Sequence, residues 1–178
     1  VETLPHTTHN FTFNSSGGQN WTSSFVSYLA KINKGAFQLS ISGSGVTYPA
    51  SVSITTTEAN FGDLNVNYTL YRNQTLVNFS TTNGTAPLGY FQQLAAGPYM
   101  FLFNATGGEN WTFNATGVNV TITVNRGTPT LNLQLNGTAA DQTFTYPSSV
   151  NATGFEADLG DGDVTYQLYR NTTLLTSG

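Results

Sequence analysis

FNATGGENWTFNATG, residues 103–117, restates a phrase the chain has already used, FNSSGGQNWT at residues 13–22. The offset is 90 residues, and other stretches recur at similar distances. INKGAFQLSI (32–41) returns as VNRGTPTLNL (124–133) at an offset of 92. GVTYPASV (45–52) returns as TFTYPSSV (143–150), and VNYTLYRNQTLV (66–77) as VTYQLYRNTTLL (164–175), both at 98. An offset that grows along the chain marks small loop insertions in one copy of a tandem repeat, here about 92 residues long. Residues 35–126 make one whole copy. Residues 1–34 match only its later part, and residues 127–178 only its earlier part. The pattern predicts a complete domain flanked by two complementary half-domains, on a chain that is mature, processed or cut from something longer.

Within the repeat, side chains alternate with a period of two, the pattern of a half-buried strand. Val118, Val120, Ile122 and Val124 fall on one face of VNVTITVN, with Asn119, Thr121 and Thr123 on the other. Val66, Tyr68 and Leu70 oppose Asn67, Thr69 and Asn73, with Tyr71 out of phase. Phe37, Leu39 and Ile41 oppose Gln38 and Ser40, while Leu131, Leu133 and Leu135 oppose Asn132, Gln134 and Asn136. Asn83-Gly84, Gly107-Gly108 and Asn136-Gly137 supply turns, and Pro49, Pro87, Pro98 and Pro147 mark strand ends. Six to eight short strands per copy predict an all-β fold, a β-sandwich.

Composition narrows the setting. Charged residues make up 8% of the chain, against about 25% in an average globular domain. The apolar content is 38%, and no window is long enough to read as a membrane-spanning helix. Asn, Thr, Ser and Gly stand where Lys and Glu usually do. Asn-x-Ser/Thr triplets begin at Asn10, Asn14, Asn20, Asn67, Asn73, Asn78, Asn83, Asn104, Asn110, Asn114, Asn119, Asn136, Asn151 and Asn171. Each is an acceptor for N-glycosylation, and together they predict an exported glycoprotein. Asn67, Asn119, Asn136 and Asn151 fall on the polar face of their own runs, the side on which a glycan has room. The net charge of −4 argues against nucleic acid as a partner. Cysteine is absent, which excludes a disulfide framework, a thiol nucleophile and a zinc–thiolate site. A glycosylated, exported, cysteine-free chain points to an extracellular setting on an archaeal cell surface.

LAAGPY (94–99) resembles the corner before strand F of immunoglobulin-like sandwiches, where a Tyr bonds back to the chain. With the YxLYRN strand and the FNxTGGxNWT phrase, the whole copy resembles the tandem Ig-like repeats of archaeal cell-surface and filament glycoproteins. The resemblance spans nearly the entire chain and its motifs are structural. Two features depart from it: the Cys pair of antibody domains is missing, and the position equivalent to Tyr99 in the first half-domain is His9.

Chemistry finds few footholds. His6 and His9 sit three apart with no carboxylate beside them, which reads as an ordinary exposed turn rather than a metal site. Glu156, Asp158, Asp161 and Asp163 offer hard oxygen ligands that calcium favours, and the DLGDGD turn resembles that of polycystic-kidney-disease-type sandwiches. The equivalent segment keeps Glu58 and Asp63 but has Asn60 and Asn65 at the other positions, so the cluster reads as a solvated acidic turn, with calcium the alternative. Trp21 and Trp111 read as core anchors ahead of sugar-stacking platforms. A glycosidase needs two carboxylates across a cleft, whereas the acidic residues here fall mostly in turns. Both histidines lie in one N-terminal segment with no sign of a nucleophile turn, so the chain is expected to be no enzyme and to need no cofactor.

The expected function is structural. A half-domain exposes an apolar face and an unpaired edge, so residues 127–178 of one copy are expected to close on residues 1–34 of the next, head to tail. Such a contact does not close on itself and propagates as a fibre. Glycans at Asn67, Asn73, Asn104 and Asn119 are expected to keep one filament from pairing with another. The alternative is a set of spacer domains in a surface adhesin or surface-layer stalk; a sugar-binding module ranks below it.

Overall fold

A computed structural model describes residues 1–59, 65–81, 88–112, 116–158 and 164–177, and among these the chain is all β with no helix. It divides into two compact units, Val1–Arg126 and Gly127–Gly178.

In the first unit, strands β1 (Thr8–Ser15) and β2 (Ser24–Lys31) form an antiparallel pair. The rest is built from β3 (Gly35–Ala36), β4 (Leu39–Gly43), β5 (Val46–Thr47), β6 (Ser51–Glu58), β7 (Val66–Arg72), β8 (Thr75–Ser80), β9 (Gly89–Gln93), β10 (Gly97–Gly107), β11 (Trp111–Thr112) and β12 (Val118–Asn125). That is more strands than the turn signals predict, because β3, β5 and β11 are two-residue pairings that leave no periodic trace. Two main sheets result, one ordered β5-β12-β10-β7-β8 and the other β4-β6-β9, and β3 pairs with β11 in a short parallel ladder of its own. Their inward side chains merge into one core, with Val52 and Ile54 from the smaller sheet and Val66, Leu70, Phe101, Phe103 and Val124 from the larger. The architecture is sandwich-like, as the alternation predicts. Val66, Tyr68 and Leu70 are buried and Asn67 is exposed, because successive strand residues point to opposite faces.

One polar side chain enters this core at no net loss of hydrogen bonds. Thr56 Oγ1 donates to the Leu88 carbonyl at 3.0 Å and accepts the Leu88 N–H at 2.8 Å, tying β6 to the approach of β9. The first glycine of each pair in the repeated phrase is needed at its turn. Gly107 has φ 88°, and a Cβ there would stand 2.5 Å from the Asn65 carbonyl oxygen; Gly17, its counterpart, has φ 77°. Pro98 lies inside β10, one residue from its start, where the sequence placed it near a strand end. Asn83-Gly84 and Pro87 lie outside the described residues.

The second unit holds β13 (Leu131–Leu135) paired with β14 (Ala152–Glu156), and β15 (Gln167–Arg170) paired with β16 (Thr173–Ser177). The Asn136-Gly137 turn follows β13 with positive φ at both residues, 46° and 82°. Asn136 therefore belongs to a turn and not to the polar face of a strand. Among the described residues, no helix is long and apolar enough to cross a membrane.

Candidate assembly surface

The strand pairs outside the whole copy repeat its internal pairings residue for residue. Phe11 faces Tyr28 and Phe13 faces Val26 across β1–β2, as Phe101 faces Val120 and Phe103 faces Val118 across β10–β12. Leu131 faces Glu156 and Leu133 faces Gly154 across β13–β14, as Leu39 faces Glu58 and Ile41 faces Thr56 across β4–β6. The β15–β16 pair copies β7–β8 down to the irregularity, which falls between Leu168 and Tyr169 in one and Leu70 and Tyr71 in the other.

The strands that these end segments lack are those whose partner belongs to the other part of the repeat. Val66 and Asn67 pair with β10 alone, and their counterparts Val164 and Thr165 lie in no strand. Strand β5 pairs with β12 alone, and its counterparts Phe144 and Thr145 lie in no strand. Ser51–Ser53 of β6 pair with β9 and not β4; their counterparts, residues 149–151, precede β14.

Burial divides the same way. Every buried apolar side chain among the described residues lies between Phe37 and Val124. Phe101 and Phe103 are 0% and 2% exposed, whereas Phe11 and Phe13 are 54% and 78% exposed. Val66 is 1% exposed and Val164 39%. Leu131 and Leu133, which alternation alone would bury, are exposed. Burying an aromatic or branched aliphatic side chain of this size contributes roughly 1.5–3 kcal/mol, a contribution that these exposed side chains do not make in the single chain. The Tyr166 hydroxyl, whose atom is buried, has no hydrogen-bond partner among the described residues. Its counterpart Tyr68 donates to Glu58 Oε2 at 2.6 Å, and burial together with the Glu58 carboxylate pushes the Tyr68 phenol pKa well up. The residue at the Glu58 position in the second unit is Glu156.

The corner is kept in both segments by different residues. The Tyr99 hydroxyl donates to the Ala95 carbonyl at 2.9 Å, and His9 Nε2 stands 2.9 Å from the Pro5 carbonyl oxygen. A carbonyl can only accept, so the His9 tautomer with its proton on Nε2 makes this bond. His9 thus sits in β1 and not in a turn, and the half-buried His6 lends its N–H to Asn110 Oδ1 at 2.7 Å. Trp111 is a packing residue, stacked on Phe37 with centroids 5.8 Å apart, while Trp21 in the equivalent place is 81% exposed. Sequence reasoning missed Arg72, which donates to the Tyr90 hydroxyl and lies over the rings of Tyr90 and Tyr99. Its signal was the recurrence of Tyr-Arg-Asn, read only as strand.

Among the acceptor asparagines, Asn10 and Asn14 lie exposed on β1, Asn67 on β7 and Asn119 on β12; Asn20 and Asn151 are exposed outside strands. Asn73, Asn136 and Asn171 occupy turn positions with φ between 45° and 54°. Asn78, Asn104 and Asn110 are half-buried. Asn83 and Asn114 lie outside the described residues, as do Asn60, Asp63, Asp161 and Asp163. Of the acidic cluster, Glu156 lies in β14 and Asp158 accepts the Thr130 N–H. Among the described residues, no three His, Cys, Asp or Glu side chains gather as a metal site would require. Compared with protein-family models, curated proteins and solved structures, the chain gives no significant match to any of them.

Proposed function

We propose that this protein is the structural subunit of an extracellular, N-glycosylated fibre on an archaeal cell surface. Its sandwiches are Ig-like, and it performs no catalysis. Residues 127–178 of one copy and residues 1–34 of the next complete a sandwich like that of residues 35–126. The observation that carries the reading is the contrast between Phe101 and Phe103, buried under strands of their own copy, and Phe11 and Phe13, bare in the same strand pair. The pairing of β10 with β7 in the whole copy supports the proposed register, in which β1 of one molecule lies against β15 of another. Because the two surfaces differ, the contact is head to tail and extends without closing. The skin of such a fibre carries few charges, and the sugars at the acceptor asparagines supply its solubility.

Electron microscopy of the purified protein tests the assembly. Threads with a repeat set by one subunit are expected. Discrete monomers with bare ends would refute self-assembly, and sandwiches linked by continuous polypeptide would favour spacer domains of a surface stalk.

A further inference from the structure

The larger and smaller sheets of residues 35–126 present different outer faces. Asn67 on β7, Asn104 on β10 and Asn119 on β12 lie on the outward side of the larger sheet, beside the inward Val66, Phe103 and Val118. On the outward side of the smaller sheet, Ser40, Ser42, Ser53, Thr55 and Thr57 stand with Phe91 and Gln93 of β9, and no acceptor asparagine lies in its three strands.

Two other acceptors are committed to the fold. Asn78 is the cross-strand partner of Leu70, which is fully buried, so the two share the inward face. Asn78 Nδ2 donates to the Gly89 carbonyl at 2.7 Å, and its Oδ1 accepts the Phe79 N–H at 2.8 Å. The side chain thereby joins β8, at the edge of one sheet, to β9 of the other. Asn110 accepts the His6 N–H on Oδ1 at 2.7 Å and the Gly35 N–H on its carbonyl at 2.8 Å. The hydroxyl of Thr112, the third residue of that triplet, donates to the Gly35 carbonyl at 2.9 Å.

From this geometry we infer that the sugar coat of residues 35–126 is one-sided: Asn67, Asn104 and Asn119 bear glycans, whereas Asn78 and Asn110 are structural residues that stay unmodified. Transfer joins Nδ2 to C1 of a sugar activated as a lipid phosphate. The C1–O bond to phosphate breaks, the lipid phosphate leaves, and Nδ2 gives up one proton to solvent. At Asn67 and Asn119 the amide stands in open solvent. At Asn78 the sugar would have to occupy the seam between the sheets, and at Asn110 it would displace the strap of residues that includes His6. The outer face of the smaller sheet, mostly Ser and Thr hydroxyls around the exposed Phe91, is left without sugar.

The inference rests on the glycoprotein reading above. Site-resolved mass spectrometry of glycopeptides from protein purified from its own cells tests both. Sugar at Asn67, Asn104 and Asn119 with unmodified Asn78 and Asn110 is expected. Sugar at Asn78 or Asn110, or none on the larger sheet while other sites carry it, overturns the one-sided coat alone; a chain with no sugar at all overturns the glycoprotein reading. In unglycosylated recombinant protein, Asn78→Ala is expected to lower the unfolding midpoint and Asn67→Ala to leave it in place. Equal midpoints for the two variants would overturn the structural role of Asn78.

Discussion

Phe13 and Phe103 stand at the same place in the repeated phrase, yet only Phe103 is buried. The difference lies in what covers them and not in the residues. A period of two in a strand records which side a residue takes. It cannot record whether anything lies over that side. The period places Thr56 on the side of Val52 and Ile54, but nothing in the Ser-Val-Ser-Ile-Thr-Thr-Thr run shows that its hydroxyl is wholly buried with both hydrogen-bonding roles used. Its counterpart in the second unit is Gly154, so the repeat gave no signal either. Thr56→Val is expected to lower unfolding stability by about 1–3 kcal/mol, because it strands the Leu88 N–H and carbonyl in the core. Thr55→Val, on the exposed face, should shift stability by less than about 0.5 kcal/mol. Chemical denaturation of the two variants checks this, and equal midpoints would contradict the assigned role of Thr56.

Strands form here where a partner is at hand. Val66-Asn67 is strand because β10 lies beside it; Val164-Thr165 occupies the same position in the repeat without that neighbour and is not strand. Local sequence favours extended backbone in both, but a ladder also needs donors and acceptors from a second segment. This explains which elements the sequence revealed. Long runs such as β7 and β12 were readable from alternation, while β3, β5 and β11 exist only through tertiary pairing. The acceptor triplets were readable too, but not the folding roles of Asn78 and Asn110, which depend on contacts 11 and 104 residues away. On assembly, the amides of Val164 and Thr165 should gain hydrogen-exchange protection as they enter a ladder with β1 of a neighbouring molecule. Exchange measured on dispersed and assembled protein checks this. Unchanged rates at these amides, with assembly established, would place the contact elsewhere.

For the whole molecule, the proposed fibre makes one geometric demand: the cover missing from each end segment comes from a second copy, in the register of residues 35–126. In that sandwich Leu102 faces Tyr71 across β10 and β7. Thr12 and Tyr169 hold the corresponding positions, and the chain has no cysteine of its own to confuse a cross-link. Directly opposed strand residues bring their Cβ atoms within about 4.5–5.5 Å, close to disulfide reach. The most direct measurement is therefore the Thr12→Cys, Tyr169→Cys double variant, oxidised and run on a denaturing gel beside each single variant. The Thr12→Cys control also carries the loss of the Asn10 triplet. A ladder of covalent multimers from the double variant, absent from both singles, is the predicted result; no cross-link, or one confined within single chains, would contradict the account.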